Sequence, residues 1–339
     1  IAQRSTSVSS ITSSGYHTVD RWRPTISSAG TWTISQSTDV PTGQGFGYSQ
    51  KFDCTTADAS LSAGDYVVLQ QRIEGQNLQY LKKGTSSAES TTLSFWVYAT
   101  KTGTNIVELY DNDNTRQISK SYTISSSNTW EKKTVTFAGD TSGAFGNDNA
   151  RSLDVRWWLG AGSNYTSGTL STTWTSSTNA NRAVGQVNHA DNTSNNFYIT
   201  GVQLEAGTTA SDFEFLPYDI NWLKCLRYCI ILGSAPGGTT YNYADNSIIG
   251  YYYNNTDFYP NYFYPVPMRA TPGVTFSTTG SGLGVVYSDG AGDTTTSNGT
   301  NVTSNTNFNF RASTAQTNQT YGGAFDFSAN QYAILSAEL

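Results

Sequence analysis

The chain has 339 residues, 13% of them charged and 13% aromatic, and a net charge of −6. It carries no Lys/Arg cluster and no apolar run near the ~20 residues a bilayer-spanning helix needs, which excludes a nucleic-acid footprint and helical membrane insertion. A hydrophobic fraction of 37% still permits folded cores, with hydroxyls and amides rather than charges solvating the surface.

In chain order the dominant period is two, the pattern of half-buried strands. "TLSFWVYAT" puts Leu93, Phe95, Val97 and Ala99 on one face and Trp96 and Tyr98 on the other. "DNDN", Asp111–Asn114, reads as a hairpin turn, because it lacks the ordered ligand spacing and closing Glu of a Ca²⁺ loop. "WEKKTVTFAG" leads to buried Val135 and Phe137. "SLDVRWWLG" turns Leu153, Val155, Trp157 and Leu159 inward and Arg156 and Trp158 outward. In "NNFYITGVQLEAG" the apolar parity of Phe197 and Ile199 switches to Val202 and Leu204, which predicts a bulge at Gly201. Many short antiparallel strands with polar turns predict a sandwich or jelly roll over about residues 16–215.

"LPYDINWLKCLRYCIIL" breaks the pattern. Pro217 suits a first turn, Asp219 an N-cap, Ile220, Leu223 and Leu226 repeat every three residues, and Trp222 sits four before Leu226, so a short amphipathic helix is predicted over Asp219–Arg227. Residues 228–232 enter the next strand, closed by Gly233. The helix reads either as a rigid connector or as an oligomer contact, with Leu223 and Leu226 facing the axis of a trimer. Strand patterns then return at "TPGVTFSTT", "FNFRAS" and "GGAFDFSANQYAILSAEL", while "DGAGDTTTSNGTNVTSNTN" reads as surface loops. The expected fold is all-β: a jelly-roll β-sandwich (1–216), a helical connector leading into a strand (217–232), and a smaller C-terminal β-sandwich (233–339).

Three cysteines, Cys54, Cys225 and Cys229, are too few and too odd for a disulfide framework and read as buried thiols. His17 and His189 have no catalytic partner visible in sequence. Acidic residues such as Asp111, Asp113, Asp154 and Glu205 are numerous enough for a carboxylate pair, whose convergence for glycoside hydrolysis is a matter of the fold rather than of spacing. Glycan binding fits the composition better. Aromatic faces cover the C–H face of a sugar, and amides and hydroxyls satisfy its rim. The candidate ligand-binding aromatics are Trp96, Tyr98, Trp158, Trp174, Tyr252, Tyr259 and Tyr262. A second core face or an oligomer interface is the alternative use of the same residues.

Two sets of blocks carry a resemblance. "IAQRSTSV…GYHTVDRWR" goes with "FYITGVQLEAGTTASDFEFLPYD…CLRYC", and "YPVPMRATPGVTF" goes with the terminal "YAILSAEL". Together they resemble bacteriophage virion proteins of tail-fibre or head-fibre type, whose central domain resembles jelly-roll carbohydrate-binding modules. The resemblance implies a non-enzymatic protein on the virion surface, assembled in the host cytoplasm, released by lysis and often homotrimeric. Host-surface glycans and other virion proteins would be its partners. Such proteins begin earlier, so the chain is expected to be incomplete at its start. Jelly-roll carbohydrate modules often hold a structural Ca²⁺. No ligand set carries over residue by residue, and Glu205, at the end of the "GVQLE" strand, is the single nomination. A purely architectural virion piece, or a secreted carbohydrate-binding module of a polysaccharide-degrading enzyme, are the other roles this sequence allows.

Overall fold

The computed structural model describes residues 1–233, 248–254, 256–278, 282–287, 292–314, 322–328 and 330–339. The chain divides into two units, Ser7–Phe215 with Leu339, and Ile1–Thr6 with Leu216–Glu338. The first six residues, placed by the sequence reading in the first domain, thus belong to the second unit. There Gln3 Nε2 donates to the Cys229 carbonyl at 3.0 Å and Arg4 pairs with Glu338 at 3.1 Å.

The larger unit is a sandwich. Its strands are β1 (Ser7–Ile11), β2 (Trp22–Ser27), β3 (Thr31–Ser37), β4 (Ser49–Thr56), β5 (Tyr66–Glu74), β6 (Thr91–Ala99), β7 (Gly103–Asp111), β8 (Arg116–Ile124), β9 (Glu131–Phe137), β10 (Arg151–Ala161), β11 (Thr175–Ser176) and β12 (Asn196–Ala206), with a single helical turn, α1 (Ser163–Thr166). One sheet runs β1-β3-β4-β12-β6-β9 and the other β11-β8-β7-β10-β5-β2. Alternation decides what lies between them. Trp32, Phe52, Phe95 and Phe197 come from the first sheet, and Leu109, Ile118 and Trp157 from the second, all buried in one core. Phe95 meets Trp157 edge-on across the gap, with centroids 5.6 Å apart. Full burial of each such side chain contributes about 1.5–3 kcal/mol.

The parity switch in β12 is a bulge. Its pairing with β6 slips between Thr200 and Gln203, and Gly201 sits at φ +59°. A Cβ there would lie 2.5 Å from Phe46 Cζ. Gly201→Ala is therefore expected to cost about 1–3 kcal/mol, combining left-handed strain with overpacking. Gly43, at φ +74° with open space around it, supplies the control. Gly43→Ala should show only the strain, and urea denaturation of both variants separates the two contributions.

In the second unit come helix α2 (Tyr218–Leu226) and strands β13 (Cys229–Gly233), β14 (Ile248–Tyr252), β15 (Asp257–Phe263), β16 (Gly273–Phe276), β17 (Gly284–Tyr287), β18 (Gly292–Thr303), β19 (Asn307–Thr314), β20 (Gly323–Phe327) and β21 (Tyr332–Ser336). The expected C-terminal β-sandwich takes the form of a closed barrel, β14-β15-β19-β18-β17-β20, with a three-stranded sheet, β13-β21-β16. Closure removes the exposed edges that an open sheet of short strands would leave. Phe258, Phe308, Phe310 and Phe325 fill the unit's core.

Three sequence expectations change here. Most of "DGAGDTTTSNGTNVTSNTN" is strand β18, not loop; Ser288 to Ala291 lie outside the described residues. Its β-branched threonines suit a strand, and Thr295 is buried where its hydroxyl accepts the Gly284 N–H at 3.2 Å. Helix α2 begins one residue early, with Pro217 at the N-cap and Asp219 inside the first turn. Its phase also differs: the buried positions are Trp222, Cys225 and Leu226, while Ile220 is 41% exposed. Leu226 is buried in its own unit's core, and Leu223 is half-buried against that core. The three cysteines are buried thiols. Among the described residues no helix is long and apolar enough to cross a membrane.

Candidate functional site: a cleft on the outer face of the second sheet

In β10 the residues between the core positions point away from the sandwich. They are Asp154, Arg156 and Trp158. Beside them on β5 stand Tyr66, Val68, Gln70 and Arg72, paired in register with β10 as Arg72↔Asp154, Gln70↔Arg156 and Val68↔Trp158. On the other flank β7 contributes Glu108 opposite Arg156 and Tyr110 opposite Asp154. The chain after β10 returns over this face, bringing Tyr165 from α1 and Arg182. The result is a cleft of about 150 Å³ lined by Thr25, Tyr66, Val68, Gln70, Arg72, Arg151, Arg156, Trp158, Tyr165 and Arg182. That is smaller than the ~300–1,000 Å³ of drug-sized ligand pockets, so it suits one ring rather than a long chain.

Charge in the cleft is layered. Asp154 and Glu108 are fully buried beneath it. Arg151 and Arg156 both bond Asp154, with Arg151 Nε at 2.6 Å and Arg156 Nη2 at 2.6 Å. Arg182 holds Glu108 with two bonds of 2.8 and 2.9 Å, and Trp158 Nε1 donates to the same carboxylate at 3.3 Å. Burial pushes the Glu108 carboxyl upward, opposed by those Arg182 bonds; burial disfavours the Arg182 cation, but Glu108 outweighs it and holds the guanidinium above its usual range. The Arg156 and Arg182 guanidiniums also lie over the Tyr110 ring, at 4.2 and 5.0 Å. Arg72 differs from the rest. Its Nη1 donates to the Leu339 main-chain oxygen, while its Nε is buried with no partner. Burial first, then the cations Arg151 and Arg23, pull its pKa below the usual arginine range.

The aromatic candidates fall in different places. Trp158 faces outward as its parity predicts but is roofed: Val68, Ile106 and Ala183 are buried with it, and Tyr66, Tyr165 and Leu170 pack around them. It forms an inner wall of the cleft. Trp96 and Tyr98 lie on the outer face of the other sheet. There Tyr98, Trp130 and Tyr198 form an aromatic group, with centroids 4.9–6.2 Å apart. Trp174 donates Nε1 to the Ala138 carbonyl at 2.8 Å and stacks over the Lys83 ammonium at 5.2 Å, so it caps an edge of the core. In the second unit Tyr252 is buried toward the core, while Tyr262 is half-buried beside Tyr264. Tyr259 stacks on Tyr251 and meets Tyr253 on the outer face of the β14–β15 hairpin.

Glu205 does not fit a Ca²⁺. Its two oxygens accept bonds from Gln203 Nε2, the Ser211 amide and the Ser211 hydroxyl, at 2.8–3.1 Å. Among the described residues no group of three or more His, Cys, Asp or Glu side chains could hold a metal. An oxygen cage does exist elsewhere, filled by Lys83. Its Nζ lies 2.5 Å from Asp111 Oδ2, 3.1 Å from Asp140 Oδ2, and 3.0 and 2.7 Å from the Ser142 and Gly143 carbonyls. Gly143, at φ +72°, lets the loop curl close to Asn114; a Cβ would sit 2.4 Å from Asn114 Cγ. Arg116 completes the charge balance through two bonds to Asp140, at 2.7 and 2.9 Å. Burial pushes Asp140 up, but the Arg116 and Lys83 bonds outweigh it and hold the carboxyl below its ordinary range. Sequence reasoning missed this cluster, and also the Glu108–Arg182 pair. The one available signal was the charge at outward positions of β7 and β10.

His189 is fully buried, with Nε2 2.7 Å from Asn105 Oδ1. Burial, with Lys101 adding to it, lowers its pKa to about 3, so it stands neutral in the fold and away from the cleft lining.

No protein-family model matches the chain, and no curated protein matches it. Among solved structures it is similar to the enzymatically active domain of bacteriophage CBA120 tailspike protein 4, at 16% identity and a TM-score of 0.32, covering 59% of this chain and 21% of that one. It is also similar to a family 11 carbohydrate-binding module of Clostridium thermocellum, solved with a β-1,3-1,4-mixed-linked tetrasaccharide, at 10% identity and a TM-score of 0.31, covering 57% and 92%. A third is the module TmCBM61, solved with β-1,4-galactotriose, at 12% identity and a TM-score of 0.29, covering 55% and 88%. The chain spans about a fifth of the tailspike domain's length.

Proposed function

We propose that this protein is a non-enzymatic surface protein of a bacteriophage particle, a fibre or capsid-surface component that adheres to host-surface glycans through the cleft over β5 and β10. The cleft's mixed chemistry carries the reading. Tyr66, Tyr165 and Trp158 offer ring surface, while Thr25, Gln70 and the guanidiniums offer hydrogen bonds, within a space the size of one sugar ring. Asp154 and Glu108 favour binding over hydrolysis, because arginines occupy their oxygens and leave neither free to protonate a leaving group or hold a water. A single shallow site binds weakly. Repetition in a homotrimer, and of trimers over a virion, would convert it into firm attachment.

A glycan array probed with the intact protein tests this reading. Tyr165→Ala should weaken the best hit at least tenfold, about 1.4 kcal/mol, while Tyr98→Ala and Trp130→Ala on the opposite sheet leave it unchanged. Loss of binding in the latter pair instead would move the site to the other face. A second reading, an architectural joining piece working with other virion proteins, is favoured by the outer face of β14–β15. There Ile249 and Tyr253 are about three-quarters exposed beside Tyr251. A silent array together with self-association abolished by Tyr251→Ser and Tyr253→Ser would support it.

A further inference from the structure

We infer that the cleft selects acidic glycans, seating a sugar carboxylate against Arg72 and its neighbouring guanidiniums. The inference rests on the glycan reading and narrows it.

Four guanidiniums line the cleft, those of Arg72, Arg151, Arg156 and Arg182, and among the described residues two side-chain carboxylates, Asp154 and Glu108, are bonded to them. Cationic side chains thus outnumber acidic ones in the cleft, in a chain whose net charge is −6. The arrangement also has a direction. Both carboxylates are completely buried below the arginines, so the face a ligand meets is the cationic one. Arg182 spends Nε and Nη2 on Glu108, and Arg151 spends Nε and Nη2 on Asp154; the Nη1 group of each has no carboxylate. Arg156 is saturated on one side by Asp154, and its Nη1 reaches Glu108 only at 3.5 Å.

Arg72 is the residue the unliganded protein leaves least satisfied. Its Nη1 is held by the Leu339 oxygen, its Nε lacks any partner, and burial, Arg151 and Arg23 disfavour its charge while Tyr16 and Asp154 favour it. A buried donor without an acceptor and a cation among cations are each costly in isolation. A carboxylate entering the cleft would compensate the cation. Neutral sugars offer hydroxyls but no charge, so the surplus would stay uncompensated. The planar guanidinium suits a carboxylate because it can bond both oxygens at once. Gln70, bonded to the Thr25 hydroxyl at 2.8 Å, stands next to Arg72 on the outer face of β5 and is placed to meet a sugar hydroxyl beside that carboxylate.

The test is an array that pairs each uronic- or sialic-acid-containing glycan with its neutral, carboxyl-reduced counterpart, followed by titration of the best acidic hit. The acidic member should bind at least tenfold tighter than its neutral partner. The preference should shrink when NaCl is raised from about 50 to about 500 mM, as screening requires, and should vanish in Arg72→Gln. Free acetate, added as competitor, should displace the sugar only weakly, since it lacks the ring. Equal binding of both members overturns the inference and leaves the glycan reading standing. An acidic preference untouched by Arg72→Gln overturns it too, by placing the recognition elsewhere. An array with no hits removes the glycan reading itself.

Discussion

Lys83→Met should destabilise the sandwich unit by about 3–5 kcal/mol, the usual cost of removing one partner from a buried ionic cluster. For a unit of this size that is on the order of 10 °C in Tm. The reason is geometric. Asp111 and Asp140 are buried and converge on one ammonium, whose side chain is only 4% exposed. Without it, Arg116 still pairs with Asp140, but Asp111 is left as an uncompensated buried charge, and two main-chain carbonyls lose their donor. Thermal and urea denaturation followed by tryptophan fluorescence measure the loss. A second readout asks what the cage is. Two carboxylates and two carbonyls are the hard oxygen donors that Ca²⁺ prefers. In Lys83→Ala the cation position is vacated, and millimolar Ca²⁺ should recover part of the lost stability while leaving the wild type unmoved. A Lys83→Met protein within about 1 kcal/mol of wild type would contradict the assignment of this cluster as a buried, interdependent unit.

Stability should also fall as pH drops from about 6.5 toward 3, with His189 as a main cause. The folded state holds His189 neutral down to about pH 3, while an unfolded histidine takes its proton near the unperturbed value of about 6.5. Between those values the unfolded state binds one more proton than the folded state, so acidification favours unfolding. The slope approaches about 1.4 kcal/mol per pH unit, which amounts to roughly 2 kcal/mol between pH 6.5 and 4.5. Above about pH 7.5, where the unfolded histidine is neutral as well, the effect is absent. His189→Gln keeps a polar group for Asn105 but does not titrate, so its stability should be flatter across this range whatever its value at pH 7. Asp140 contributes separately and lower: its depressed carboxyl stabilises the fold above the ordinary aspartate pKa, and that contribution is lost as pH falls through the folded-state value. Urea midpoints measured at half-unit steps for both proteins give the comparison. Parallel curves would rule out His189 as the titrating group.

Much of the sandwich was legible because each sheet buries one face, so parity alone sorts β6 and β10 into core and outer residues. The bulge at Gly201 was legible for the same reason: one extra residue in a strand reverses the parity of everything after it, and glycine is the residue that tolerates the turn. The cleft was not. Trp158 has outward parity, but nothing local tells that the chain after β10 returns across it and brings Tyr165 and Arg182. The meeting of Asp154, Arg156 and Glu108 across strands depends on register, which the sequence does not state. The same limit hid Lys83 and its two aspartates. In the second unit, threonine-rich β18 shows no apolar alternation because much of its burial is polar, through Thr295 and Asn298. Helix α2 was located but its phase was read in part: periodicity counted Ile220, Trp222, Leu223 and Leu226, whereas the helix leaves Ile220 exposed and buries Cys225 with Trp222 and Leu226 on one face.

The central claim is that a glycan sits in the cleft over β5 and β10. The most direct measurement is an NMR titration of the intact protein, labelled to observe arginine Nε and tryptophan Nε1 groups, with the tightest ligand from the glycan array. The Nε signals of Arg72 and Arg156 and the Trp158 indole should shift together and saturate with one affinity, while the Trp130 indole on the opposite sheet stays still. Movement of Trp130 with a silent cleft would contradict the account.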